Sequence, residues 1–244
     1  MAFTDKAFIG IGKVHVRLAG STGARRYIGN VSVLKFKHTL DVKRSADYTR
    51  PGGGTLKKIE RLKQVDAEIT MLDFNSANLA LAVAGTATAV VGGTVTDEIV
   101  KSYKDSTLRL AYPPSAITTV KNSGGSTTYV AGTDYDITAS GLYIRPGTAI
   151  VDAVDLKVTY TYGAHDRIEA ATGTSSIMEV LFEGLNDAEG DVPTITDIWR
   201  MQFPSAAELD LIGDNLGELK FTAELLKDST KGPGLSAFYR IQAG

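Results

Sequence analysis

Apolar and polar residues alternate without a break along Leu156-Lys157-Val158-Thr159-Tyr160-Thr161-Tyr162. Leu156, Val158, Tyr160 and Tyr162 fall on one face, and Lys157, Thr159 and Thr161 on the other. A period of two in β-branched and aromatic residues predicts a half-buried strand. Short segments of similar character precede it at 108–112, 127–130, 135–137 and 142–144. They are separated by turn clusters at 122–125, 132–134 and 145–147, so that 94–163 reads as a small β-sandwich inserted in mid-chain. Ahead of it, 27–40 and 63–74 read as strands. Leu34, Phe36, His38 and Leu40 share a face opposite Lys35 and Lys37, and the opposite phase of Val31 and Val33 predicts a bulge near Val33–Leu34. Val65, Ala67, Ile69 and Met71 oppose Asp66, Glu68 and Thr70. The intervening residues 41–62, with Pro51-Gly52-Gly53-Gly54, read as a long polar loop, a feature that is functional or disordered when it occurs in a compact domain.

Residues 1–24 show no clear period and read as an extended arm. Ser76–Ala84 reads as a short helix with Asn75 or Ser76 as its cap and Gly85 as its stop; 87–93 reads as a connection. After 163 the larger apolar residues resume. Strands are expected at 177–182, at 199–203 with Trp199, Met201 and Phe203 in one phase, at Leu209–Leu211, at 219–225 with Leu219, Phe221, Ala223 and Leu225 in phase, and at 236–241.

Composition narrows the chemistry. The chain has no Cys, so a thiol nucleophile, a disulfide framework and a Cys-ligated metal are excluded. His15, His38 and His165 have no partner at metal-ligand spacing, and no G-x-S-x-G, G-x-G-x-x-G or Walker pattern is present. Asp134 and Asp136 lack the rest of a calcium loop. The reading is therefore no catalytic, cofactor-binding or metal site, and no enzyme. The apolar run at 79–91 is too short to span a bilayer, and the first residues lack the apolar core of a secretory signal. Charge is uneven. Residues 35–63 carry nine basic and three acidic side chains, and 183–228 carry three basic and eleven acidic. Two surfaces of opposite sign on one chain can steer association, and head-to-tail assembly needs two such surfaces.

Taken in order, several segments resemble the major tail tube proteins of long-tailed bacteriophages: Leu34-Lys35-Phe36 through Asp47 and Pro51-Gly52-Gly53, Asp66 to Phe74, Asn78 to Ala82, Trp199 to Pro204, and Leu216 to Lys231, where Leu226 to Lys231 precedes Phe238-Tyr239. The run 129–162 is similar to Ig-like modules of phage tail proteins. The resemblance implies a mainly β fold: a tail-tube-type β-sandwich or barrel body (1–93 and 164–244) with one short flanking helix, plus an inserted small Ig-like β-sandwich (94–163). It implies a structural virion protein, made in the bacterial host cytoplasm and located in the virion tail. Hexamers would stack as rings into a tube around the tape-measure protein, in contact with tail-tip or baseplate and terminator proteins, and conduct double-stranded DNA non-specifically during ejection. Carried onto this chain, the 41–62 loop would contact the next ring through Lys43, Arg44, Asp47, Tyr48, Arg50, Lys57 and Lys58. The 1–24 arm would cross between subunits, and the helix would cover the outside of the barrel. Asp66, Glu68 and Thr70 would face the lumen, where an acidic wall would repel phosphates, with Lys35 and Lys37 making its sign mixed if they face it too. A second reading is an adhesion protein binding carbohydrate through Tyr129, Tyr135, Tyr143, Tyr160 and Tyr162 of the inserted module.

Overall fold

The computed structural model describes residues 6–49, 51–173, 176–206 and 208–244. It is mainly β, and the chain divides into two compact units, 1–87 with 168–244 (the body) and 88–167 (the module). Strands β5 (Thr86–Val90) and β13 (His165–Glu169), at the two chain crossings, pair with each other. Residues 87–93, expected as a plain connection, therefore contain most of one strand.

The body is one eight-stranded sheet. Its strands are β1 (Gly10–Leu18), β2 (Arg26–Tyr27), β3 (Val31–Ala46), β4 (Thr55–Met71), β14 (Ser176–Asn186), β15 (Val192–Phe203), β16 (Leu219–Leu225) and β17 (Tyr239–Ala243). They run in the order β2-β1-β14-β15-β16-β4-β3, with β17 also on β15. Of the expected N-terminal arm, residues 1–5 lie outside the described residues, and Gly10–Leu18 is β1, paired residue for residue with β14 from Gly10–Asn186 to Leu18–Met178. Val14 and Val16 bury their side chains in the core. Glycines and exposed polar residues before them dilute the period in the sequence. Asn186 anchors the entry: its side-chain amide donates to the Ala7 carbonyl and its oxygen accepts from the Ile9 N–H.

The alternating strands supply the core. Val65, Ala67, Ile69 and Met71 meet Leu219, Phe221, Ala223 and Leu225, all essentially inaccessible, with Phe203 edge-on to Phe221 at 5.6 Å. Bulges explain the phase errors. The register of β3 on β4 slips at Ser32, one residue before the expected bulge. On β15, Trp199 and Arg200 together oppose Glu179, because Met178 pairs with Met201 and Val180 with Ile198. An added residue reverses the facing, so Ile198, Met201 and Phe203 are buried, while Trp199 is only half-buried. It lies under Lys231 Nζ (3.7 Å to the ring centre) and donates to the Ser236 carbonyl. The strand expected at Leu209–Leu211 does not form.

Helix α1 (Ser76–Ala82) starts at Asn75, whose side chain accepts from the Asn78 N–H. It ends in a Schellman turn: Gly85 N–H donates to the Ala80 carbonyl and Ala84 N–H to Leu81. The left-handed residue is Ala84 (φ 46°), not Gly85 as expected. Glycine at 85 is needed for space, since a Cβ there would lie 2.1 Å from the Glu169 carbonyl oxygen. Asn78, wholly buried, ties the helix to the sheet. Its amide donates to the carbonyls of Ile28 and Asp73, and its oxygen accepts from Arg26. Burial lowers the Arg26 pKa.

The module has two sheets. One contains β7 (Ser106–Arg109), β10 (Tyr135–Thr138) and β11 (Gly141–Ile144) in the order β10-β11-β7. The other contains β6 (Gly93–Lys101), β8 (Pro114–Asn122), β9 (Thr128–Tyr129) and β12 (Asp155–Tyr162) in the order β6-β12-β8-β9. Leu156, Val158 and Tyr160 of β12 are fully buried, among Leu142, Ile144, Val120 and Ile150. Strands β6 and β8 escaped the sequence reading because both are bulged against β12. Asp97 is left-handed (φ 53°), and one extra residue separates Ile117 from Val120.

The buried Tyr160 hydroxyl donates to Glu98 (2.5 Å) and accepts from the Tyr112 N–H. Burial first, and the Glu98 carboxylate second, push the Tyr160 pKa up to about 12.

Two outcomes follow for the full chain. Asn78→Ala leaves two carbonyls and a half-buried guanidinium without their partner, and is expected to destabilise the body by about 2–4 kcal/mol in denaturant titration. Tyr160 favours its neutral form in the folded state, so its contribution is complete below the unfolded value of about 10 and is lost as pH rises through about 12. Tyr160→Phe is expected to cost about 1–3 kcal/mol at neutral pH and to flatten the alkaline loss, read by thermal unfolding at several pH values.

Candidate functional site

The expected 41–62 loop is a hairpin arm. Strands β3 and β4 continue pairing far beyond the sheet, from Leu40–Leu62 through Asp41–Arg61 and Lys43–Ile59 to Ala46–Thr55. Strand β16 covers β4 only from Asp66 to Met71. The outer part is therefore a two-stranded ribbon, and about seven residue pairs at ~3.3 Å rise carry it roughly 25 Å out. Every described side chain from Leu40 to Lys63 is exposed except Asp47, which is half-buried. At the tip the Asp47 carboxylate accepts from the Thr49 hydroxyl and N–H, which hold its pKa below the usual carboxylate range. Asp47 N–H donates to the Gly54 carbonyl. Gly52, Gly53 and Gly54 have φ of 105°, 62° and 141° with open space where a Cβ would be, so glycine is needed there for backbone conformation.

Lys43, Arg44, Tyr48, Lys57 and Lys58 all lie on this arm, as does Asp47; Arg50 lies outside the described residues. Arg44 sits directly opposite Lys58, an arrangement that weakens a hairpin. Lys58 is drawn to Glu60 on its own strand. The arm also exposes Leu40, Val42, Leu56, Ile59 and Leu62, and Tyr48 is 92% exposed.

The second predicted set divides. Glu68 is exposed and Asp66 half-buried on the polar face of β4, but Thr70 is only 4% exposed, which removes it as a surface residue. Lys35 is paired with Glu68 at 2.8 Å, and Lys37 stands opposite Asp66. Register adds residues that sequence reasoning had not assigned to this face: Lys220, Thr222 and Glu224 of β16 lie beside Thr70, Glu68 and Asp66. They alternate with Leu219, Phe221, Ala223 and Leu225, a signal that was present in the sequence. Lys35, Lys37 and Lys220 balance Asp66, Glu68 and Glu224, so this face is electrically mixed rather than acidic.

Two apolar features were also missed. A cavity of about 410 Å³ opens between β1, β3 and the β14–β15–β17 region, lined by Phe8, Ile11, Val14, Leu34, Phe36 and Phe182 among others. The segment between β15 and β16 leaves Leu211, Ile212 and Leu216 at 83%, 97% and 92% exposure. Among the described residues no group of three or more His, Asp and Glu side chains is placed to hold a metal ion. No helix is long and apolar enough to cross a membrane, which says nothing of strands.

Fold and site together define a two-unit, mainly β protein that carries a projecting basic hairpin. The chain belongs to the family described as protein of unknown function UCP028589, with the match spanning residues 7–242. No curated protein matches it.

Because the arm buries nothing on the body, replacing residues 44–58 with Asn-Gly should preserve the fold. Lys43 and Ile59 would then flank a two-residue turn. Body stability is expected to change by no more than about 0.5 kcal/mol in denaturant titration.

Proposed function

We propose that this protein is a self-assembling structural subunit, a tail tube protein whose copies form rings that stack into a tube. The observation that carries the reading is the bare hairpin arm. It is ordered by its seven outer β3–β4 residue pairs, yet its described apolar side chains stay exposed and Arg44 faces Lys58 across the ribbon. A long edge strand with apolar residues is an association surface unless it is covered. Strand β3 is such an edge, since among the described strands it pairs only with β4. In the proposed assembly, edges meet within a ring, and arms reach the neighbouring ring.

The polar face of β3, β4 and β16 is the proposed lumen wall. Its mixed charge, with Lys35 and Lys220 already paired to Glu68 and Glu218, offers no continuous basic track to hold DNA phosphates during non-specific passage. A tape-measure protein inside, terminator and tip or baseplate proteins at the ends, and a place in the virion tail belong to the same proposal. The carbohydrate reading gains no comparable support. Tyr135 and Tyr160 are buried, Tyr129 and Tyr162 pack against the module core, and the Tyr143 hydroxyl donates to Asp105.

Electron microscopy and light scattering of the concentrated full chain are expected to show rings or tubes of constant diameter. The Asn-Gly arm replacement is expected to abolish their stacking while keeping the folded spectrum. A chain that stays monomeric at every concentration, even with tail-tip seeds, would refute the proposal.

A further inference from the structure

The body has two bare surfaces of opposite sign at opposite ends of one strand. Strand β4 leaves the hairpin at its first residue and reaches Met71 at its last, where Met71 pairs with Leu219. The segment leading into Leu219 therefore lies at the far end. Seventeen residues at ~3.3 Å each put roughly 50 Å along the strand between these ends.

The far end is the chemical complement of the arm. Residues 205–219 include Glu208, Asp210, Asp214 and Glu218 and no Lys or Arg, whereas 41–63 has seven basic and three acidic residues. Glu208, Asp210 and Asp214 are exposed, and Glu218 is occupied by Lys220 at 2.9 Å. Among these carboxylates stand the bare Leu211, Ile212 and Leu216. A hollow of about 320 Å³ is lined by Phe74, Asp210, Leu211, Asp214 and Leu216 together with neighbouring loop backbone. The arm likewise sets bare Leu40, Val42 and Ile59 among lysines and arginines. Carboxylates from another copy would offset the Arg44–Lys58 opposition that the hairpin carries alone.

We propose that the acidic, apolar 208–218 segment of one copy is the docking site for the basic hairpin arm of a second copy. This rests on the self-assembly reading and names its receptor. The two surfaces differ and sit at opposite ends, so the contact is heterologous. It repeats along the strand direction rather than closing on a pair. Charge pairing at exposed positions makes the association sensitive to salt.

A charge swap tests it. One variant reverses the arm (Lys43→Glu, Lys57→Glu, Lys58→Glu), and the other reverses the segment (Glu208→Lys, Asp210→Lys, Asp214→Lys). All six positions are exposed, and circular dichroism checks that both variants fold. Each variant by itself is expected to need more than about tenfold higher concentration to polymerise than the wild type. An equimolar mixture is expected to recover polymerisation, because each arm then meets a segment of opposite sign. A third variant, Leu211→Ser with Ile212→Ser and Leu216→Ser, is expected to weaken polymerisation without altering charge. If the segment-reversed protein polymerises like wild type while the arm replacement does not, the receptor is elsewhere and self-assembly stands. A folded mixture that fails to recover overturns the charge pairing. If the wild type does not polymerise at all, both readings fail together.

Discussion

The pairing of β3 with β4 is the constraint on which the body depends. One long pairing, shifted at three bulges between Val31–Met71 and Ala46–Thr55, does two different jobs. Its inner half is clamped by β16 and closes the core through Val65, Ala67, Ile69 and Met71. Among the described strands its outer half has no further neighbour, and strand pairing with the Asp47–Thr49 and Asp47–Gly54 hydrogen bonds holds it. Between them Lys63 is an extra residue, because Thr39 pairs with Gln64 and Leu40 with Leu62. A bulge at that point bends and twists the ribbon as it leaves the sheet. The joint between the part of the pair that closes the core and the exposed ribbon is thus a single residue.

The two units treat exposed surface differently. The module completes its own core: Tyr160 satisfies its hydroxyl internally, and Tyr112 stacks on Tyr162 at 4.2 Å. The body does not. It keeps an edge strand paired on one side, a bare arm, an apolar hollow and three nearly fully exposed aliphatic side chains. In the proposed assembly these surfaces would be covered by other copies, and the opposite signs at the two ends of β4 would give the association a direction.

The fold was legible where side chains alternate without interruption. Strand β12, the inner half of β4, and β16 could be read because one face of each packs into a core, and Asn75 and Ser76 marked the helix start. The candidate site was legible in part. The basic residues of the arm stood out by charge, and Glu68 and Asp66 by alternation. Their setting did not, because an exposed ribbon has no buried face to impose a period. Its Pro-Gly-Gly-Gly turn and charged flanks look like those of an unstructured loop.

What the sequence determined by itself is what is local: period-two faces, turn residues, cap chemistry and the charge of each segment. Tertiary structure decided what depends on a partner strand. It placed β1 against β14, so that Val14 and Val16 became core. It reversed Trp199 through a bulge that exists only relative to Glu179, and it buried Thr70 although its neighbours in phase stay accessible. It also set the acidic 208–218 segment and the basic arm at opposite ends of β4. The reason is physical. Strand pairing is made between residues distant in sequence, and its register, which no local pattern encodes, sets the side each residue faces.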